Sequence, residues 1–166
     1  MVKGIVLLAA LATGLAPMAT AQLSSTDKAF VTKLAKANNY ELKAADLAQN
    51  TSKNDSYKSY AQMIATDHTK AGQDLTSLIS GIDSSMQLPT DVSATDQSHL
   101  DTLQHAGNSF DVKYRYQMIS THTAALKLAQ NYVSQPKDNP QLKKFASDLI
   151  PVFRKHLAEA KKLPKQ

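Results

Sequence analysis

Glu41, His68, His122 and His156 are the side chains of this 166-residue chain whose types and surroundings suit a metal ion. Each falls in or beside an otherwise apolar stripe with helical spacing, one on each expected long helix. A buried polar group without a partner costs on the order of a few kcal/mol. One shared ion would satisfy a carboxylate and three imidazoles together.

The donor set narrows the metal. Di-iron helix bundles carry a carboxylate on each helix and a Glu-x-x-His pair on two of them. Here one inward Glu stands without such a pair, and the chain has no Cys, so no thiolate can ligate or attack. This favours a single Zn²⁺, Cu²⁺ or iron ion over a ferroxidase centre. Asp67, beside His68, is placed to orient an imidazole from another helix as an outer carboxylate. Asp111 is an alternative ligand on the third long helix, but its separation from His122 is about 16 Å along the axis, so both cannot bind one ion. Asp111 also has a simpler role in the first turn of its helix, through the helix dipole and a pair with Arg115. With an open metal position, Tyr114 or Asp111 would be placed to assist chemistry on a small substrate. No residue pattern selects a reaction.

The elements that must position these residues are all helices. Ala, Leu, Lys and Gln are plentiful, β-branched alternation is absent, and no segment calls for a strand. The first helix opens at Ser24 or Ser25, with Asp27 in its first turn, and runs to about Asn50 through the stripe Phe30, Leu34, Ala37, Glu41, Ala45 and Ala48. After the polar turn 51–54 the second carries Tyr57, Ala61, Ile64, His68, Ala71, Leu75 and Ile79 and is expected to end at Gly81. So short a turn makes the first two helices antiparallel neighbours.

A polar connection over 82–95, containing Pro89, leads to a short helix with Leu100 and Leu103 that stops near Gly107. The third long helix begins near Asn108 or Ser109 and passes Tyr114, Met118, Ala125, Leu128 and Tyr132 before the stop at Pro136. The last starts at Asn139 with Pro140 in its first position and carries Leu142, Phe145, Leu149, Val152, His156, Ala160 and Leu163. Pro151 lies inside it and should kink it or remove one backbone bond. His99 and His105 flank the short helix and read as surface residues.

Height along the bundle is a second test, at about 1.5 Å per residue from the turn between the first two helices. Glu41 falls at about 15 Å, His68 at about 22 Å and His122 at about 17 to 20 Å. His156 depends on topology: roughly 28 Å if the chain simply goes up and down, roughly 10 Å if a crossover joins the second and third long helices. His122 is the least certain by face, because Asp111 and Arg115 share its stripe.

The first residues read as an export signal over 1–21: Lys3, the apolar stretch Gly4 to Pro17, and the small-residue pattern Ala19-Thr20-Ala21. The remaining chain, 22–166, has the length of one domain and no membrane-spanning segment. The formal charge is +5. Its densest part, Arg154, Lys155, Lys161, Lys162 and Lys165, suits either the dipole at a helix C-terminus or contact with an anionic membrane surface. Nucleic-acid binding is not expected, since no basic stripe is interleaved with stacking aromatics.

The order of marks, Glu41, then Asp67-His68, Gly107, Phe110-Asp111, Tyr114, His122 and Pro151 ahead of His156-Leu157, resembles the exported bacterial ferritin-like family known as domain of unknown function 4142. The likeness runs from about Phe30 to Leu163. It implies an all-α, ferritin-like four-helix bundle, with a short extra helix between helices two and three, in the periplasm or cell envelope. It implies no activity.

Two functions of different class follow from the residues. One is metal binding in the bundle core for storage, buffering or stress protection. The other is a non-enzymatic structural or interaction protein of the envelope, whose core polar residues only hydrogen-bond and fix register. An enzyme is a third class and the least supported.

Overall fold

Ser24 starts the first helix by exchanging hydrogen bonds with Asp27. Its hydroxyl accepts the Asp27 N–H at 3.1 Å and the Asp27 carboxylate accepts the Ser24 N–H at 2.9 Å. In this computed structural model, which describes residues 23–136 and 138–165, five α-helices follow: α1 (Ser25–Thr51), α2 (Asp55–Ile82), α3 (Ala94–Gln104), α4 (Phe110–Val133) and α5 (Pro140–Lys162). A 3₁₀ turn, Gly107–Ser109, leads into α4, and Gly107 takes the left-handed conformation there at φ 53°. The export segment read over 1–21 lies outside the described residues.

Cross-helix contacts fix the directions. α1 and α2 pack closely, joined by a turn from Ser52 to Asn54, and α4 and α5 form the other close pair. Tyr132 near the end of α4 donates to Asp27 at the start of α1, and Thr121 meets Glu41 further along, so α1 and α4 are antiparallel. Tyr57 donates to the Pro164 carbonyl at 2.7 Å while Asp67 meets His156, so α2 and α5 are antiparallel as well. The segment from the end of α2 to the start of α4 therefore runs the length of the molecule. It is strapped to α1, where Asn39 Nδ2 donates to the carbonyls of Pro89 and Asp91 at 2.9 and 3.0 Å. Gln117 adds a second strap, accepting from Tyr40 OH at 2.7 Å and donating to the His99 carbonyl at 3.1 Å.

Two apolar clusters fill the interior. One gathers Tyr57, Tyr60, Ile64, Leu103, Phe110, Tyr114 and Met118. The other gathers Phe30, Val31, Leu75, Ile79, Leu142, Leu149 and Phe153. Burying each such side chain contributes roughly 1.5 to 3 kcal/mol. In sequence, His68, His122 and His156 fall between residues of the first cluster and residues of the second on their own helices, and Glu41 does the same on α1. The polar side chains thus form a layer between two apolar halves.

Some local expectations shift. α2 continues past Gly81 to Ile82 and is capped by the Asp83 N–H on the Ile79 carbonyl, so Gly81 is an ordinary helical residue. On α5 the buried stripe is Leu142, Ala146, Leu149, Phe153, His156 and Ala160, leaving Phe145 and Val152 half-buried. Pro151 stays inside a continuous helix because it lies on the exposed face, where water can satisfy the carbonyl one turn before it. His105 is exposed, but His99 is half-buried, in an edge-to-face contact with Tyr40. Among the described residues no helix is long and apolar enough to cross a membrane.

Candidate metal centre

His68, His122 and His156 come together in the polar layer. Their ring centroids are 5.1 to 5.7 Å apart, and one ring nitrogen of each lies within 4.8 Å of the other two. All three are buried, His156 completely.

Each ring is held from behind by an oxygen acceptor. His68 Nδ1 donates to Asn38 Oδ1 of α1 at 3.0 Å. The His122 Nδ1–H goes to the Met118 carbonyl, one turn back in α4, at 2.9 Å. His156 gives its Nε2–H to Asp67 Oδ2 of α2 at 2.8 Å. A neutral imidazole has one donor nitrogen and one acceptor, so these bonds leave His68 Nε2, His122 Nε2 and His156 Nδ1 as lone-pair nitrogens. His68 Nε2 is buried without a partner, and the other two face each other at 3.2 Å. Two opposed lone pairs at that distance need a positive centre between them, a proton or a metal ion.

The electrostatics favour neutral rings at two positions. Burial pushes His68 well below the ordinary histidine range, and the neighbouring His122 and His156 reinforce this against Asp67. Burial also lowers His156, although its bond to Asp67 pulls the other way. Burial raises Asp67, but the hydrogen bonds from His156 and Lys155 outweigh it and hold the carboxyl below its ordinary range. Asp67 thus carries the negative charge behind the His156 ring, as carboxylates behind metal-binding imidazoles do.

An ion bound tetrahedrally at about 2.0 to 2.1 Å from nitrogen sets ligand nitrogens about 3.3 Å apart. The 3.2 Å between His122 and His156 already matches this, and a ring nitrogen of His68 lies within 4.8 Å of the others. The residues fit an ion that accepts three imidazoles and keeps a position open.

Glu41 sits on the other edge of His122. Its Oε1 is 3.7 Å from His122 Nδ1 and accepts from Thr121 Oγ1 at 2.6 Å, while Oε2 is buried without a partner. Burial raises its carboxyl above the ordinary range despite His122 and Thr121. Glu41 therefore lies beside the cluster of three imidazoles, which does not include it. Asp111 and Tyr114 belong to the far apolar half. Tyr114 packs against Tyr57, Tyr60 and Phe110 with its hydroxyl buried and unpartnered. Asp111 stands in the first turn of α4, but Arg115 turns away from it and donates to the carbonyls of Leu163 and Lys161. The ion pair expected between them is replaced by a tie from α4 to the end of α5.

Sequence reading missed Asn38 and Thr121, the side chains that hold His68 and Glu41. The available signals were weak: Asn38 precedes Glu41 by one turn and Thr121 is adjacent to His122. The Met118 carbonyl leaves no side-chain signal at all. A cavity of about 260 Å³ borders the site, with Glu41, His68 and His122 on its wall beside Leu34, Leu128 and Phe153.

No curated protein and no solved structure matches the chain. The family model described as domain of unknown function (DUF4142) matches residues 12–163, which is most of the sequence, and with an all-helical fold and the marks Asp67-His68 and Phe110-Asp111 in place the chain belongs to that family.

Proposed function

We propose that this protein is a ferritin-like four-helix bundle that holds a single Zn²⁺, Cu²⁺ or iron ion on His68, His122 and His156. The observation that carries the reading is the set of oxygen acceptors behind the rings. Asn38, the Met118 carbonyl and Asp67 each take one ring N–H and leave the remaining nitrogens of the trio as acceptors in a buried layer. The crossover between α2 and α4 supports the ferritin-like comparison, and the lack of Glu-x-x-His pairs separates this site from di-iron chemistry. A bound ion of this kind would supply Lewis acidity at its open position. The chain's own contribution is to orient the rings, keep them dry and neutralise charge through Asp67. The role is metal buffering, storage or stress protection in the bacterial envelope, and export rests on the leader pattern at 1–21.

Elemental analysis of the purified protein tests this. One ion per chain is expected, falling to background in His68→Ala and His156→Ala. Metal-free protein after incubation with each ion, or unchanged loading in both variants, would overturn it.

The 3.2 Å approach of His122 Nε2 and His156 Nδ1 also favours a second reading. If His156 carries protons on both nitrogens, it donates to His122 and to Asp67, and the layer is a structural hydrogen-bond chain. Melting with and without chelator separates the two, because an ion bound to the folded state raises the melting temperature and a proton-only layer ignores the chelator.

A further inference from the structure

We propose that the outer face of the α4–α5 hairpin is a docking surface for an anionic lipid bilayer, with Tyr116 set among the headgroups. Among the described residues, the large apolar side chains left exposed are Val112, at 44%, and Tyr116, at 73%. They stand one turn apart on α4, and at about 100° per residue Thr123 and Lys127 continue their stripe.

Charge on α5 divides by face. Lys144, Lys155 and Lys162 pair with Asp148, Asp67 and Glu159. Lys143, Arg154 and Lys161 form no ion pair among the described residues, and they share one line along the helix to within about 20°. That line lies about 100° to 120° round from Lys155, which meets Asp67 of α2. It therefore turns away from α2 and toward α4, the other long helix packed on α5. Arg115 of α4 donates to the Lys161 carbonyl at 3.1 Å, which sets Lys161 beside the turn that carries Val112 and Tyr116. The acids of the two helices point elsewhere: Asp111 is about 140° from Tyr116, and Asp148 and Glu159 are about 120° or more from Arg154.

A cationic face without its own acids calls for an anionic partner. Its charges are sparse, since Lys143 and Lys161 alone are roughly 27 Å apart along the axis. Mobile headgroups can gather beneath each of them, whereas a folded acidic protein must carry carboxylates at the same spacing. Tyr116 favours lipid as well, because a tyrosine ring settles at headgroup level with its hydroxyl in water. One exposed aromatic makes no stacking platform for nucleic acid. Contact of this kind is peripheral, and no described helix is long and apolar enough to cross the bilayer. The inference does not depend on a metal, because the three imidazoles are buried behind this face.

The chain has no Trp, so Tyr116→Trp supplies a single fluorescent reporter on this face. The chain from Gln22 is the form to use, since it carries both apolar clusters without the apolar leader. Vesicles of equal parts phosphatidylglycerol and phosphatidylcholine should shift the reporter's emission to the blue, less so as salt rises, and phosphatidylcholine alone should not. Gln62→Trp, exposed on α2 diagonally across the bundle from α4, should show no shift. Neutralising Lys143, Arg154 and Lys161 together to Gln should weaken co-sedimentation with the mixed vesicles about a hundredfold, or about fivefold per cation. Neutralising the paired Lys144, Lys155 and Lys162 removes as much charge and should cost less than about tenfold. No binding at millimolar lipid, equal losses from the two triple variants, a blue shift at position 62 instead of 116, or tighter binding to polyglutamate than to the vesicles would each overturn it. None of these outcomes depends on the elemental analysis, so the two readings fail separately.

Discussion

His156, completely buried in α5, gives its Nε2–H to Asp67 Oδ2 across the α2–α5 interface at 2.8 Å. The same oxygen receives Lys155 Nζ at 3.3 Å, so one carboxylate faces a buried ring and a surface ammonium at once. This bond decides which nitrogen of His156 turns toward His122 and His68. Asp67→Asn retains the shape and removes the charge. Metal affinity is expected to fall between about tenfold and a hundredfold, as for other carboxylates behind metal-binding imidazoles. Competition titration against a chromogenic chelator measures it, and an unchanged affinity would mean that Asp67 does not support the ligand.

Gly72 gives α2 the room that Asn38 needs. A Cβ built there would stand 2.9 Å from Asn38 Nδ2, whereas one at Gly81 would meet nothing within 4 Å. Replacing Gly by Ala inside a helix otherwise stabilises by about 1 kcal/mol. Gly81→Ala should show that gain in urea unfolding. Gly72→Ala should not, because Asn38 must swing away and give up its bond to His68, and metal affinity should drop with it. Equal stabilisation by the two substitutions, with metal binding intact, would show that Asn38 is free to move.

At the opposite end, Asp27 ties three segments together. It accepts from Tyr132 OH, from the Asn139 N–H at 3.1 Å and from the Ser24 N–H at 2.9 Å. Burial raises its pKa, but the bonds from Tyr132, Asn139 and Ser24 outweigh it and hold the carboxyl below its ordinary 3.8. A depressed carboxyl contributes stability that is complete above the unfolded value and is lost as pH falls through the folded one. Asp27→Asn is therefore expected to lower unfolding free energy by about 1 to 3 kcal/mol at pH 7 and by progressively less below about pH 4. Urea titrations at pH 7 and pH 2.5 test this, and a difference independent of pH would remove the charged carboxylate from the account.

Helix starts, and much of each buried face, were legible because they depend on local chemistry, although on α5 Phe153 is buried where Val152 was expected. Ser24 with Asp27 and Asn139 with Pro140 are caps that work within one turn, and both are in place. The level of His156 was not legible, because it depends on whether the segment after α2 returns to the other end. That choice is made by long-range contacts such as Asn39 with Pro89 and Gln117 with His99. Ring orientation was further out of reach. His122 is aimed by a backbone carbonyl, and His68 by an amide whose space depends on a glycine in another helix. The expected Asp111–Arg115 pair failed for the same kind of reason: carbonyls left free at the end of α5 compete for the guanidinium, and they are invisible in the sequence of α4.

Glu41 lies beside the three imidazoles without joining their cluster. It touches His122 on the edge already engaged with the Met118 carbonyl, at 3.7 Å, and its second oxygen has no partner. Burial favours the protonated carboxyl, so its folded pKa lies above its unfolded pKa. The sign is opposite to that of Asp27: stability is fully present below the unfolded pKa and declines as pH rises through the folded one. Glu41→Gln keeps the volume and the acceptor for Thr121 but cannot ionise. Its unfolding free energy in urea should equal or exceed that of the parent at pH 8, with the advantage shrinking toward pH 4. Metal affinity of this variant should stay within a few-fold of the parent if three imidazoles suffice. A loss of a hundredfold or more, together with lower stability at pH 8, would instead place the carboxylate on the ion and require α1 to shift toward α4 when metal binds.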